Sequence, residues 1–162
     1  MNKAAAAVPP REHKLDLRQL LADLVADGLL AKDQVNPVLS RSHGPEPKHP
    51  LAIIAGAEAP NAREPGRKLT LEVLTQWLSG RVGLPYQRID PLNIDVPRIT
   101  AVMSYAYASR FCVLPVKVTH DEITVATCEP YLREWEKDIE SVAKKKVKRV
   151  LSNPADIQRY LH

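Results

Sequence analysis

From Phe111 to Cys128 the chain reads FCVLPVKVTHDEITVATC, two β-branched runs around Thr119-His120-Asp121-Glu122. Apolar alternation broken by a short polar stretch predicts an antiparallel hairpin, because one set of side chains must share a buried face. Taking His120-Asp121 as a two-residue turn pairs Val118 with Ile123, Val116 with Val125 and Leu114 with Thr127, all on one face. His-Asp is not a preferred turn pair, so a loop one residue longer on each side is the alternative. In this register Cys112 shares the face of Leu114 and Val116, whereas Cys128 lies opposite Val113 on the other face. The two thiols then cannot bridge, and are expected to pack as small buried hydrophobes.

The hairpin sits in an alternating series. Upstream, YQRID (Tyr86–Asp90) reads as a short strand. Asp95 and Pro97 then open a helix, PRITAVMSYAYASR, with Ile99, Val102, Met103 and Ala106 facing inward. Downstream, Glu129-Pro130 starts a helix whose stripe is Leu132, Trp135, Ile139 and Val142, and Lys144, Lys145 and Lys146 suit its C-terminal end. VKRVL is a strand, and SNPADIQRYL is a terminal helix capped by Ser152 or Asn153 ahead of Pro154. The order strand, helix, strand, strand, helix, strand, helix predicts a small α/β (α+β) domain over residues 83–162, a mixed sheet of about four strands flanked by helices.

Residues 14–82 read differently. In LDLRQLLADLVADGLL, Leu17, Leu20, Leu21, Leu24 and Val25 recur at helical spacing, and Gly28 can end that helix in the left-handed region. Asp33 could cap a shorter helix with Val35, Val38 and Leu39 on one side, completing a hairpin. The breaker-rich Ser42–Pro50 and Pro60–Lys68 are loops around LAIIAGAEA, whose alanines favour a helical turn. Thr70 is the N-cap expected for LTLEVLTQWLSGRVG, which puts Leu71, Leu74 and Leu78 on one side with Trp77 beside them. The result is a helical subdomain with a proline-rich loop, preceded by a disordered leader over residues 1–13.

Composition narrows the class. At 162 residues with 44% hydrophobic content the chain can bury a core, but 5% aromatics leave that core to aliphatic side chains. No apolar run approaches the roughly 18 residues of a membrane span, and the N-terminus lacks the apolar stretch of a signal peptide, which predicts a cytoplasmic protein. A formal charge of +4 permits an acidic partner without requiring nucleic acid.

Catalytic motifs are missing. EPGRKLT has one glycine and no phosphate-cradling loop, and neither a nucleophile elbow nor a dinucleotide fingerprint occurs. None of His13, His43, His49, His120 and His162 lies four residues from another histidine or a cysteine, and a zinc site from Cys112, His120 and Cys128 is opposed by the register above. The run Lys144 to Arg149 is the best nucleic-acid candidate, but without interleaved aromatics it reads first as a solvated helix end and strand edge. Trp77 and Trp135 lie on apolar helical stripes and read as packing residues.

An ordered set of segments carries a resemblance: LVADGLL, GLPYQRIDPLNID, PRITAVMSYAYASRFCVLPVKV, EITVATCEP and VKRVLSNPADIQRY. Together they resemble the N-terminal domain of the ATPases that drive type II secretion and type IV pilus assembly, the GspE/PilB family. Gly83, Leu84 and Pro85 match its glycine-leucine-proline segment, Leu114-Pro115 its leucine-proline pair and Val125-Ala126 its valine-alanine pair, while Glu129-Pro130 replaces its aspartate-proline. The resemblance implies a non-catalytic docking and regulatory domain, cytoplasmic and peripheral to the inner membrane through a platform protein, with the ATPase core of the parent chain as its other partner. Nucleic acid and direct membrane contact are not expected, and neither a metal nor a resident cofactor is implied.

Some members of that family bind cyclic di-GMP through an R-L-G motif followed by spaced hydrophobic pairs. Setting Gly28, Leu29 and Leu30 on its central glycine and pair matches Leu20, Leu24, Val25 and Leu39, while Gln19 stands at the arginine position. The resemblance therefore implies, as an alternative, a cyclic di-GMP receptor built on these residues, although glutamine cannot supply the charge that would meet a phosphate.

Overall fold

The structure, a computed structural model, describes residues 12–42, 44, 48–90, 92, 94 and 96–161, with the side chains of Val96, Ile99 and Thr100 outside that description. The expected leader thus lies outside it up to residue 11. Asp95, expected to open a helix, also lies outside the described residues.

Helix α1 (Leu17–Ala26) is capped by Asp16, whose carboxylate accepts from the Gln19 amide. Its end follows the sequence reading: Gly28 has φ +79°, and the Leu29 amide turns back to the Leu24 carbonyl at 3.0 Å. Instead of a capped helix at Asp33, a 3₁₀ turn over Lys32–Gln34 leads into α2 (Val35–Ser40). Helix α3 (Pro50–Gly56) carries proline in its first turn, and α4 (Leu71–Val82) begins at Thr70, whose hydroxyl accepts from the Val73 amide. Leu21, Leu24, Leu30, Leu51, Ile54, Leu69 and Leu74 from this region form one core, which Leu151 from the C-terminal half completes.

The long helix expected from Pro97 is two. Helix α5 (Val96–Val102) stops, and α6 (Tyr105–Phe111) restarts because Ser104 caps it by accepting from the Tyr107 amide. Strands β1 (Val113–Val118), β2 (Glu122–Thr127) and β3 (Lys146–Leu151) form a mixed sheet in the order β1-β2-β3, antiparallel then parallel. Among the described residues, then, there are three strands rather than about four. Tyr86 makes a single parallel bridge to Leu151 and goes no further, because Ile89 is held instead by Asp156. Helix α7 (Trp135–Ala143) starts five residues later than Pro130, and Val142, placed in the buried stripe by the sequence, is 63% exposed. Helix α8 (Pro154–Gln158) is capped by Asn153, while Ser152 bonds the Gln87 carbonyl.

One sheet face packs Val113, Ile123 and Val125 against Met103, Phe111, Trp135 and Ile139. The other packs Leu114, Ala126, Cys128 and Val150 against Ile89 and Ile157. The predicted turn holds, with Val118 opposite Ile123 and Thr119 bonded to Glu122. Beyond it the register slips: Pro115 faces Val125 and Leu114 faces Ala126, leaving Val116 as a bulge. Proline cannot donate to a ladder and is tolerated at bulges and edges, which gives the slip its cause.

That slip corrects the cysteine reading. Cys128 now follows Ala126 onto the face of Cys112, and its amide donates to the Cys112 carbonyl at 3.3 Å. With both cysteines on one face, the register no longer opposes a zinc site. His120 nevertheless lies in the turn at the opposite end of the hairpin, and among the described residues no His/Cys/Asp/Glu group is placed to hold a metal.

Candidate functional site

The helical and sheet regions meet at the turn that leaves β2. Glu129 is 4% exposed there, and the Leu15 amide, just ahead of α1, donates to its Oε1 at 2.7 Å. His49, ahead of α3, donates from Nε2 to the Cys128 carbonyl at 2.7 Å and accepts from the Leu51 amide at Nδ1. Those two bonds fix a neutral tautomer. Burial pushes the His49 imidazole down to about 4 and the Glu129 carboxyl up to about 7. The 3.7 Å separation of His49 Nε2 from Glu129 Oε2 is therefore a contact of a neutral ring rather than an ion pair.

The same turn carries the preceding residues of the N-terminal segment in reverse order. His13 stacks on Tyr131 with ring centroids 4.8 Å apart and an interplanar angle of 22°. The Arg133 amide donates to both Glu12 oxygens, at 2.8 and 2.6 Å. Residues 12, 13 and 15 thus lie across residues 133, 131 and 129.

Beside this strap is a cavity of about 560 Å³ lined by Glu12, Arg81, Val82, Pro130, Tyr131, Arg133 and Arg149. The Arg149 guanidinium bonds the Pro130 carbonyl and lies 3.4 Å from Glu136, which also pairs with Arg133. Burial lowers the Arg149 pKa. Arg81 is held by Asp27 and Asp23, and the Trp77 indole donates to Asp27. These donors keep the Asp27 carboxyl below its usual range. A second cavity, of about 440 Å³, shares Arg81 and Tyr131 and reaches α1 at Asp16, Gln19, Leu20 and Asp23.

The residues of the cyclic di-GMP motif fall mostly inside the protein. Leu20, Leu24, Leu29 and Leu30 are buried in the helical core, with Val25 and Leu39 packed against it. Gly28 is exposed and Gln19 bonds Asp23 on the surface, so Gln19 and the edge of Leu20 are what this set contributes to a cavity. The arginines come from elsewhere in the chain, and of the three only Arg149 stands out in the sequence, as the end of the basic run. Arg81 and Arg133 carry no periodic signal. Within Lys144–Arg149, Lys145 bonds the His120 carbonyl and Arg149 faces the strap, which removes two cations from a free basic surface.

A helical unit packed on a small mixed sheet makes the fold α+β. Residues 82–162 match the MshEN domain family, and the chain belongs to that family. The chain is 34% identical over 151 residues to the type IV pilus assembly ATPase TfpB of Acinetobacter baylyi. That match takes in 91% of this chain and 26% of TfpB, so the chain spans about a quarter of its relative's length. The family expected from the sequence is therefore the right one.

Among solved structures, MshE with cyclic di-GMP has the same fold at TM-score 0.57 and 14% identity, covering 91% of this chain and 97% of that one. The N-terminal domain of XpsE follows at TM-score 0.54 and 12% identity, covering 92% and 96%. At such identities the likeness is one of fold.

Proposed function

We propose that this chain is a non-catalytic docking and regulatory domain of a type II secretion or type IV pilus assembly ATPase. It binds the cytoplasmic part of an inner-membrane platform protein, and nucleotide hydrolysis belongs to a core elsewhere in the parent protein. The homology to TfpB over nearly all of this chain carries the reading. Residues 14–82 and 83–162 act as two units joined at Glu129, and residues 1–13 are a leader. Among the described residues no helix is long and apolar enough to cross a membrane, which suits attachment to the inner membrane through a partner. Co-purification with the platform protein's cytoplasmic domain tests this. Retention at micromolar concentration is expected, and failure to bind at high concentration of both proteins overturns it.

A second reading, a cyclic di-GMP receptor, is favoured by one observation. The cavity that Gln19 and Leu20 reach also contains Arg81, so a guanidinium from α4, paired with Asp23 and Asp27, lies near the motif position that holds glutamine. Gln19, Leu20, Leu24, Val25, Gly28, Leu29, Leu30 and Leu39 then act mainly by shaping the hairpin. Calorimetric titration with cyclic di-GMP decides it: a saturable heat supports the reading and a flat titration at high ligand ends it.

A further inference from the structure

We propose that the cleft between Tyr131, Arg133 and Arg149 is a binding site for a purine mononucleotide, and that Glu12 and His13 occupy it as a built-in competitor. The site goes beyond the docking and cyclic di-GMP readings: it uses none of the motif residues from Gln19 to Leu39, although its cavity shares Arg81 and Tyr131 with the second one.

The occupant has the two parts that a nucleotide would present. The Glu12 carboxylate takes the Arg133 amide with both oxygens, and Arg133 and Arg149 both feel its charge. A phosphate offers oxygens of the same charge in the same place and adds a third acceptor. The His13 imidazole lies nearly parallel on the Tyr131 phenol, as a nucleobase lies on an aromatic platform. Among the described residues, Glu12 is the one acid lining a cavity that holds Arg81, Arg133 and Arg149. Glu136 shares its charge between Arg133 and Arg149 from behind, so removing Glu12 leaves two guanidiniums facing one carboxylate. The free space beside Glu12 is about 560 Å³, within the range of small-ligand sites, and Tyr131 lies between it and the second cavity, which the His13 ring lines.

Both surrogate groups are exposed, so little buried surface resists their release. Their neighbour Leu15 is the residue tied to Glu129, just ahead of α1. Nucleotide entry therefore lifts the segment that leads into the helical unit. The site couples occupancy of the sheet region to the hold on α1.

Nuclear magnetic resonance titration of the full chain with guanosine 5′-monophosphate, pyrophosphate and guanosine tests the proposal. The Arg133 amide and the His13 ring resonances should move together with the mononucleotide, and more weakly with either fragment. The variant E12Q/H13A should bind the mononucleotide at least about fivefold more tightly, since a docked competitor lowers apparent affinity by the fraction of open sites. In the E12Q/H13A background, R133Q and Y131A, both at exposed positions, should each weaken it by about tenfold. Absence of movement at Arg133 in E12Q/H13A at millimolar nucleotide overturns the site. Equal affinity for pyrophosphate and mononucleotide overturns the aromatic half. Unchanged affinity in E12Q/H13A overturns the competition.

Discussion

The Leu15 amide donates to the Glu129 carboxylate at 2.7 Å across 114 positions of sequence, and His49 closes the same junction through the Cys128 carbonyl. The joint between the helical unit and the sheet is thus built on two buried titratable groups. Burial drives them in opposite directions, while Lys14 and His13 lower the Glu129 carboxyl slightly and Lys14 lowers the His49 ring further.

These directions predict compensating pH dependence. The Glu129 pKa is raised from 4.5 to about 7, so its contribution is full below 4.5 and is lost as pH rises through 7. The His49 pKa is lowered from 6.5 to about 4, so its contribution is full above 6.5 and is lost as pH falls through 4. Each shift corresponds to no more than about 3.5 kcal/mol. The wild-type protein should therefore show a flat stability profile between pH 5 and 6.5, roughly, by urea denaturation. Glu129→Gln removes one arm, and its stability should rise by about 1–2 kcal/mol over that interval. A flat profile in Glu129→Gln contradicts the assignment.

The thiols should differ in reactivity. Cys112 is half-buried and its pKa is lowered, chiefly by its contact with Cys128, whereas Cys128 is fully buried and its pKa is raised by that contact and by burial. Iodoacetamide on the folded protein should label Cys112 first, with Cys128 reacting only after denaturation. Mass spectrometry of the labelled peptides reads the order, and equal rates would place Cys128 at the surface.

Much of this fold was legible because it rests on short-range chemistry. The α1 stripe, Gly28, the Thr70 cap and the Asn153-Pro154 start each announce themselves locally, and all are found. The failures share a different cause. Val116 bulges because Pro115 cannot donate, and a single proline changed which face every earlier residue of β1 occupies. Ser104 broke one expected helix into two by capping the second. The strap and its arginines were invisible for a third reason: Glu12 meets Arg133 and Arg81 meets Asp27 only once distant segments have packed.

Position within the hairpin motif predicts stability rather than ligand contact. Leu24 is fully buried in the helical core, so Leu24→Ala should cost about 3 kcal/mol. Gln19 is exposed and bonds only Asp23 through its side chain, so Gln19→Ala should stay within about 0.5 kcal/mol. Chemical denaturation of the two variants measures both. A Leu24→Ala cost below that of Gln19→Ala would mean that α1 is not packed as described.

Asp156 should matter more than its ion pair suggests. Its side chain is nearly fully buried at the start of α8, where Oδ2 accepts from the Ile89 amide at 3.2 Å and from Arg88 Nε at 2.9 Å. The Arg88 side chain is mostly in water and also pairs with Glu72, so the charge contact alone is worth little. The Ile89 amide, by contrast, is buried and would lose its acceptor. Asp156→Ala should therefore destabilise by about 2–3 kcal/mol and Arg88→Ala by less than about 1 kcal/mol. Amide hydrogen exchange separates the causes: Ile89 should lose protection in Asp156→Ala and keep it in Arg88→Ala. Loss in both would instead assign the anchoring of this segment to Arg88.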